Sequence, residues 1–254
     1  MWSHALIHLT DCNVGTYGPE SFQDYLLRNK LGRKPTAPSI SIDCYEKLPK
    51  QLRDNDTMVL RLGASNHGTG TQFILAKVKD RLKDFFLVND EVFRMSQPDI
   101  FHPKKNLNSL KGYKIMPVLS ETSLVNLALT SGLLSEALSF DVKMVPGAPT
   151  TGKSTFSFKF KVHSLIKQVF EHRNGQVEID ALFVEKRKGR DTLFIIEAKS
   201  GATIRSLSKH KLVYPILSVA SHVSPHVDIV PIYMQVFKER DEYFYNILNF
   251  PTSF

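Results

Sequence analysis

The chain has 254 residues, 42% hydrophobic and 23% charged, the balance of an ordinary globular protein rather than a disordered, fibrous or membrane-embedded chain. A formal net charge of +8 favours a polyanionic partner. Cys12 and Cys44 are the only cysteines, far apart and without histidines at ligand spacing, which argues against a zinc site and fits a reducing compartment. Met1–Thr10 is too short and too polar for a signal peptide, and no apolar run approaches the roughly 18 residues that span a bilayer. The expectation is a cytoplasmic protein with no membrane partner.

In chain order, Ser21–Asn29 has helical spacing with a capping serine, and residues 30–36 form a basic loop. Met58–Leu62 and Gln72–Val78 read as strands around the glycine-rich turn Gly63–Gly70, and Phe85–Val88 as a third strand. Ser123–Gly132 followed by Leu133–Leu138 reads as helix, glycine turn, helix. The spacing of Ala128 and Gly132 is common in helix-turn-helix units, but the second helix is short and lacks basic residues, which favours packing or a hinge. Val145–Thr150 is rich in Pro and Gly and marks a boundary between modules 1–145 and 146–254.

Beyond it, Phe156, Phe158, Phe160 and Val162 alternate with Ser157, Lys159 and Lys161, a strand with lysines on one side. His163–His172 is read as a helix ending at Asn174–Gly175. Two strands, Val177–Val184 and Leu193–Lys199, follow around the basic turn Glu185–Asp191. Thr203–Tyr214 is read as a helix continuing past Pro215 to about residue 221. His226–Val236 and Glu242–Leu248 are the last strands. From residue 163 the order is helix, strand, strand, helix, strand, strand. The fold class expected is α/β of the α+β kind, a mixed sheet flanked by helices, preceded by a mixed α/β module.

The hairpin of residues 177–199 is the most informative feature. It brings Asp180 beside Glu197, and residues 197 and 199 of one strand face the same side. Two unbalanced carboxylates 4 Å apart repel by about 4 kcal/mol in a half-wet protein medium. A divalent cation removes that conflict, and hard oxygen ligands suit Mg²⁺. The plainer alternative is a surface lysine paired to an edge-strand glutamate. The buried-strand run Leu193–Ile196 leading into Glu197 and Lys199 speaks against it.

This order and these residues resemble the PD-(D/E)xK nuclease superfamily, the fold of many type II restriction endonucleases and Holliday-junction resolvases. Asp180 stands at its first motif and Glu197–Lys199 at its second, over roughly residues 160–250; the proline usual before the first aspartate is Ile179 here. The resemblance implies a restriction-endonuclease-like core in which Asp180, Glu197 and the carbonyl of Ala198 hold Mg²⁺, with Mn²⁺ as a substitute. Lys199 would orient or deprotonate the attacking water and offset charge on the phosphate. Glu171, Glu178 and His210 are accessory candidates, and Lys209 and Lys211 are candidate phosphate contacts on the following helix.

Gly147–Ser154 matches the P-loop pattern. A P-loop must run straight into a helix, whereas Thr155–Phe160 alternates as a strand, so nucleotide hydrolysis is disfavoured. Thr150, Thr151, Lys153 and Ser154 fit better as donors to DNA phosphates. Asn66 and His67 in the early turn are further DNA candidates beside the plainer reading of a hairpin turn.

The function expected is therefore a Mg²⁺-dependent endodeoxyribonuclease acting on double-stranded DNA at a specific sequence, a type II restriction endonuclease. Residues 1–145 would serve recognition or dimerisation and residues 146–254 catalysis. Two cuts in a duplex imply a homodimer, and a cognate DNA methyltransferase would be its functional partner. The alternatives are a structure-specific repair or recombination nuclease and a DNA-binding protein without catalysis.

Overall fold

A computed structural model describes residues 1–65, 70–93, 97–103, 107–141, 148–150 and 154–250. Its strands are β1 (Val14–Ser21), β2 (Thr57–Ala64), β3 (Thr71–Val78), β4 (Phe86–Val88), β5 (Thr155–Lys161), β6 (Val169–Gln176), β7 (Ala181–Arg187), β8 (Arg190–Ser200), β9 (Ser206–Ser208), β10 (Asp228–Glu239) and β11 (Glu242–Asn249). Its helices are α1 (Ser3–Ile7), α2 (Phe22–Arg28), α3 (Thr36–Ile40), α4 (Lys50–Arg53), α5 (Asn89–Val92), α6 (Lys111–Ile115), α7 (Glu121–Ser131), α8 (Leu133–Ala137) and α9 (His210–Ala220). The fold is mixed, of the α+β kind.

Two compact units interleave along the chain. Unit 1 takes residues 1–89, 153–177 and 205–210, and unit 2 takes 90–152, 178–204 and 211–254. A sequential division at residue 145 gives way because later strands pair with early ones: β6 meets β2 and β9 meets β4.

Unit 1 is built on a sheet of order β1-β3-β2-β6-β5, together with the two-stranded pair β4-β9. Its core gathers aromatic side chains that alternate or recur on their elements. Trp2, Phe22, Tyr25 and Phe73 are buried, with the Trp2 and Phe73 rings 5.3 Å apart. The start of α2 is fixed as its serine predicts, the Ser21 hydroxyl accepting the Asp24 N–H at 3.3 Å.

The helix expected over His163–His172 is not formed. Residues 169–176 are strand β6, antiparallel to β5 with Phe160 against Phe170 and Phe158 against His172. The spacing of Leu165, Ile166, Val169 and Phe170 fits a helical face. The cross-strand aromatic pairing, with Phe158 and His172 stacked at 4.7 Å, belongs to period 2 and decides the outcome. Likewise the helix expected from Thr203 begins only at His210. Ser206–Ser208 is instead strand β9, its backbone engaged with β4 and the Ser206 hydroxyl donating to Glu46 at 2.9 Å.

Unit 2 holds a sheet of order β11-β10-β8-β7. β7 and β8 form the expected hairpin, closing at Lys188 and Gly189 with φ of 53° and 76°, the geometry of a two-residue primed turn. β8 and β10 run parallel through a connection that contains α9. β8 is buried from Thr192 to Ala198, as a continuous apolar run in a covered central strand should be. Phe194, Ile196 and Ala198 share a core with Leu124, Val125 and Leu129 of α7 and Leu134 of α8. The helix pair around Gly132 therefore serves packing within unit 2, as the absence of basic residues on its second helix implied. Among the described residues no helix is long and apolar enough to cross a membrane.

Candidate active site

Strand register builds the site. Ala181 opposes Ile196, and one further step of an antiparallel ladder sets Asp180 against Glu197 with both side chains on one side. The Asp180 carboxylate then reaches across: Oδ2 accepts the Ala198 N–H at 2.7 Å. Lys199, two residues beyond Glu197, projects to the same side, and its Nζ lies 2.8 Å from Glu197 Oε1. The sequence reading of a convergent acid, acid and lysine matches the geometry at these positions.

Glu121 was absent from that reading. It opens α7, and its carboxylate approaches Lys199 Nζ at 3.3 Å while also accepting the Ser200 N–H at 3.0 Å. Lys199 Nζ further donates to the Ala198 carbonyl at 2.9 Å, so its ammonium is held by three oxygens. The signal at Glu121 was hidden by a structural one: Ser120 caps α7 through its hydroxyl, and an acid in the first turn of a capped helix ordinarily needs no other explanation.

Burial decides the electrostatics. Glu197 is 3% exposed, and burial pushes its carboxyl up to about 7, against the pull of Lys199 and with an added push from Asp180. Asp180 is raised by the same cause, partly offset by the Ala198 N–H and Lys199. For Lys199 burial works to lower the ammonium, but Glu197, Glu121 and Asp180 outweigh it and hold the group charged above the ordinary lysine range. On the side nearest α9, the Lys211 ammonium sits 3.0 Å from Glu178.

The other sequence candidates are placed as follows. Lys211 is buried rather than presented to solvent, its ammonium committed to Glu178. Glu178 is exposed. Lys209 is exposed and His210 half-buried at the start of α9. Glu171 lies on β6 of unit 1 instead of ending a helix, with Arg173 at 3.5 Å. Thr150 and Ser154 are exposed, and β5 begins at Thr155 where a P-loop would require a helix. Asn66, His67, Thr151 and Lys153 lie outside the described residues.

The donor set bears on a metal. Lys199 faces Glu121, Asp180 and Glu197 while Lys211 pairs with Glu178, so these six groups carry an excess of two negative charges when all are ionised. Desolvated carboxylates with raised pKa values are groups that a divalent cation would stabilise. Among the described residues no cluster of three or more His, Cys, Asp or Glu forms a metal cage. A hard ion such as Mg²⁺ can be held through as few as one or two carboxylates, with water and substrate oxygens completing its shell, and Asp180 and Glu197 are the pair here that could serve it.

No curated protein and no solved structure matches the chain. A family model does: the one described as a domain of unknown function, DUF6997, matches residues 85–251. That region takes in Glu121, Glu178, Asp180, Glu197, Lys199 and Lys211, and the chain belongs to the DUF6997 family.

Proposed function

We propose that this protein is a Mg²⁺-dependent endodeoxyribonuclease of the PD-(D/E)xK kind, cutting double-stranded DNA at a specific sequence as type II restriction endonucleases do. One observation carries the reading. Asp180 is bonded to the Ala198 N–H of the strand that also presents Glu197 and Lys199, with Lys199 Nζ 2.8 Å from Glu197.

Asp180 and Glu197 are the carboxylates that would hold the ion, and the Ala198 carbonyl is a third oxygen at the same place. When bound, Mg²⁺ supplies charge stabilisation at the scissile phosphate and a lowered pKa for water. Lys199 keeps its proton at rest, so its part is to hold the phosphate oxygen and the attacking water by donation and to offset developing negative charge. Glu121 fixes the lysine from the far side through the 3.3 Å contact. Burial of Glu197 and Lys199 on β8 raises the strength of their electrostatic interactions over the value in water.

A reaction on both strands needs two such sites, so a homodimer belongs to this reading, as does a partner DNA methyltransferase. The test is digestion of a sequenced plasmid with Mg²⁺ and with EDTA, the fragment ends being mapped. Discrete fragments with a common sequence at their ends, formed with Mg²⁺ alone, are expected. An intact plasmid in Mg²⁺ and in Mn²⁺ contradicts the proposal.

A further inference from the structure

The net positive charge of the chain lies in one unit. Unit 1 holds 19 Lys and Arg against 10 Asp and Glu, whereas unit 2, which carries the acidic site, holds 14 against 15. The whole excess of +8 thus belongs to unit 1. Residues 154–177 add Lys159, Lys161, Lys167 and Arg173 to it against the single acid Glu171.

β5 and β6 sort these residues by face. Phe160, Phe170 and His172 are buried, while Lys159, Lys161, Glu171 and Arg173 are exposed. Lys159 stands opposite Glu171 and Lys161 opposite Val169, and the Glu171 carboxylate lies 3.5 Å from Arg173, so the single acid offsets one charge and leaves the face basic. Lys167, in the connection between the strands, is exposed as well. Lysines on an edge strand such as β5 guard against unwanted pairing. That account does not reach Lys167, which is outside the strand.

We infer that the exposed face of the β5–β6 ribbon binds the phosphate backbone of double-stranded DNA. Lys159, Lys161, Lys167 and Arg173 are the side chains that meet it. The inference rests on the nuclease reading for the identity of the polyanion, and it assigns to unit 1 the grip that the near-neutral unit 2 lacks. Cations of this kind position a duplex without reading its sequence, and each displaces condensed counterions. A segment of the C-terminal half, residues 154–177, is thereby part of the binding unit.

The test measures binding of a short labelled duplex in EDTA, which separates grip from cleavage. The variant Lys159→Gln/Lys161→Gln/Lys167→Gln is compared with the control Lys186→Gln/Lys188→Gln/Arg190→Gln, which removes the same charge from the exposed β7–β8 turn of unit 2. Circular dichroism and the melting temperature check that both remain folded; these are exposed side chains. The ribbon variant is expected to lose affinity by about tenfold or more, with the salt slope reduced by about 0.9 for each phosphate no longer neutralised. The control should bind like the wild type. Equal losses in the two variants, an unaffected ribbon variant, a wild type that ignores DNA, or one that prefers anionic vesicles to the duplex each overturns the inference. A ribbon-dependent grip with no cleavage in Mg²⁺ would instead retain the inference and remove the nuclease reading.

Discussion

The carboxylate of Asp180 accepts the main-chain N–H of Ala198 at 2.7 Å, so the acid that precedes β7 is fixed to the strand that carries Glu197 and Lys199. One hydrogen bond thereby sets the spacing of the three groups on which the proposed chemistry depends. Asp180 is half-buried, and truncating a carboxylate that accepts a backbone donor leaves that donor unmet.

Glu121 is expected to be a positioning residue. Glu121→Gln keeps the shape but removes the charge facing Lys199 at 3.3 Å. Losses on removing such supporting partners are about 10- to 100-fold. Single-turnover rates of DNA cleavage should fall by that order while DNA affinity in EDTA is unchanged. Loss of affinity with an unchanged rate would place Glu121 in binding instead.

On the proposed function, Mg²⁺ would compete with the proton for the Glu197 carboxylate. Glu197 is held up to about 7 against 4.5 for a free glutamate, so its contribution to folding is complete below about pH 4.5 and is lost as pH rises through about 7. In EDTA the melting temperature of unit 2 should therefore decline over this window, at a cost on the order of 3 kcal/mol at most. Mg²⁺ at pH 8 should raise it again by binding the ionised site. Glu197→Gln should flatten both responses. A melting temperature indifferent to Mg²⁺ at pH 8 contradicts the metal assignment.

In unit 1 the acid response has the opposite sign. Burial holds the His172 imidazole below the ordinary histidine range, against the backbone groups of Gly175 and Arg61. Its contribution is present above about pH 6.5 and is lost as pH falls through the lowered value. Unfolding of unit 1, followed by exchange of the β5–β6 amides, should become easier below that pH, and His172→Gln should remove the dependence.

The β2–β6 junction admits no side chain at Gly63. This residue has φ of +85°, and a Cβ there would collide with the Arg173 carbonyl. Gly63→Ala should destabilise unit 1 by about 1–3 kcal/mol from the backbone conformation alone, with more from the collision. Denaturant unfolding measures it; a wild-type midpoint would show that the two strands are not held together there.

The β7–β8 hairpin was legible because its signals agree. A continuous apolar run, a Lys-Gly turn and two acids at matching register all specify β7 and β8. The β5–β6 ribbon was half legible: the alternation of Phe156, Phe158 and Phe160 disclosed one strand. His163–His172 misled because its apolar spacing fits a helix and its strand partner lies outside the local window. That error carried forward. With the helix before the hairpin placed at 163–172, the accessory acid was sought at Glu171, whereas the structure presents Glu121 from α7 to Lys199. Pairing of β6 with β2 and of β9 with β4 joins residues about a hundred apart in sequence, and no local pattern encodes it.

Single-turnover cleavage of a labelled duplex in Mg²⁺, comparing the wild type with Asp180→Ala, Glu197→Ala and Lys199→Ala, tests the central claim most directly. The account predicts that each substitution lowers the rate by at least about 10²-fold while binding in EDTA stays within a few-fold of wild type. Wild-type rates in all three variants would contradict it.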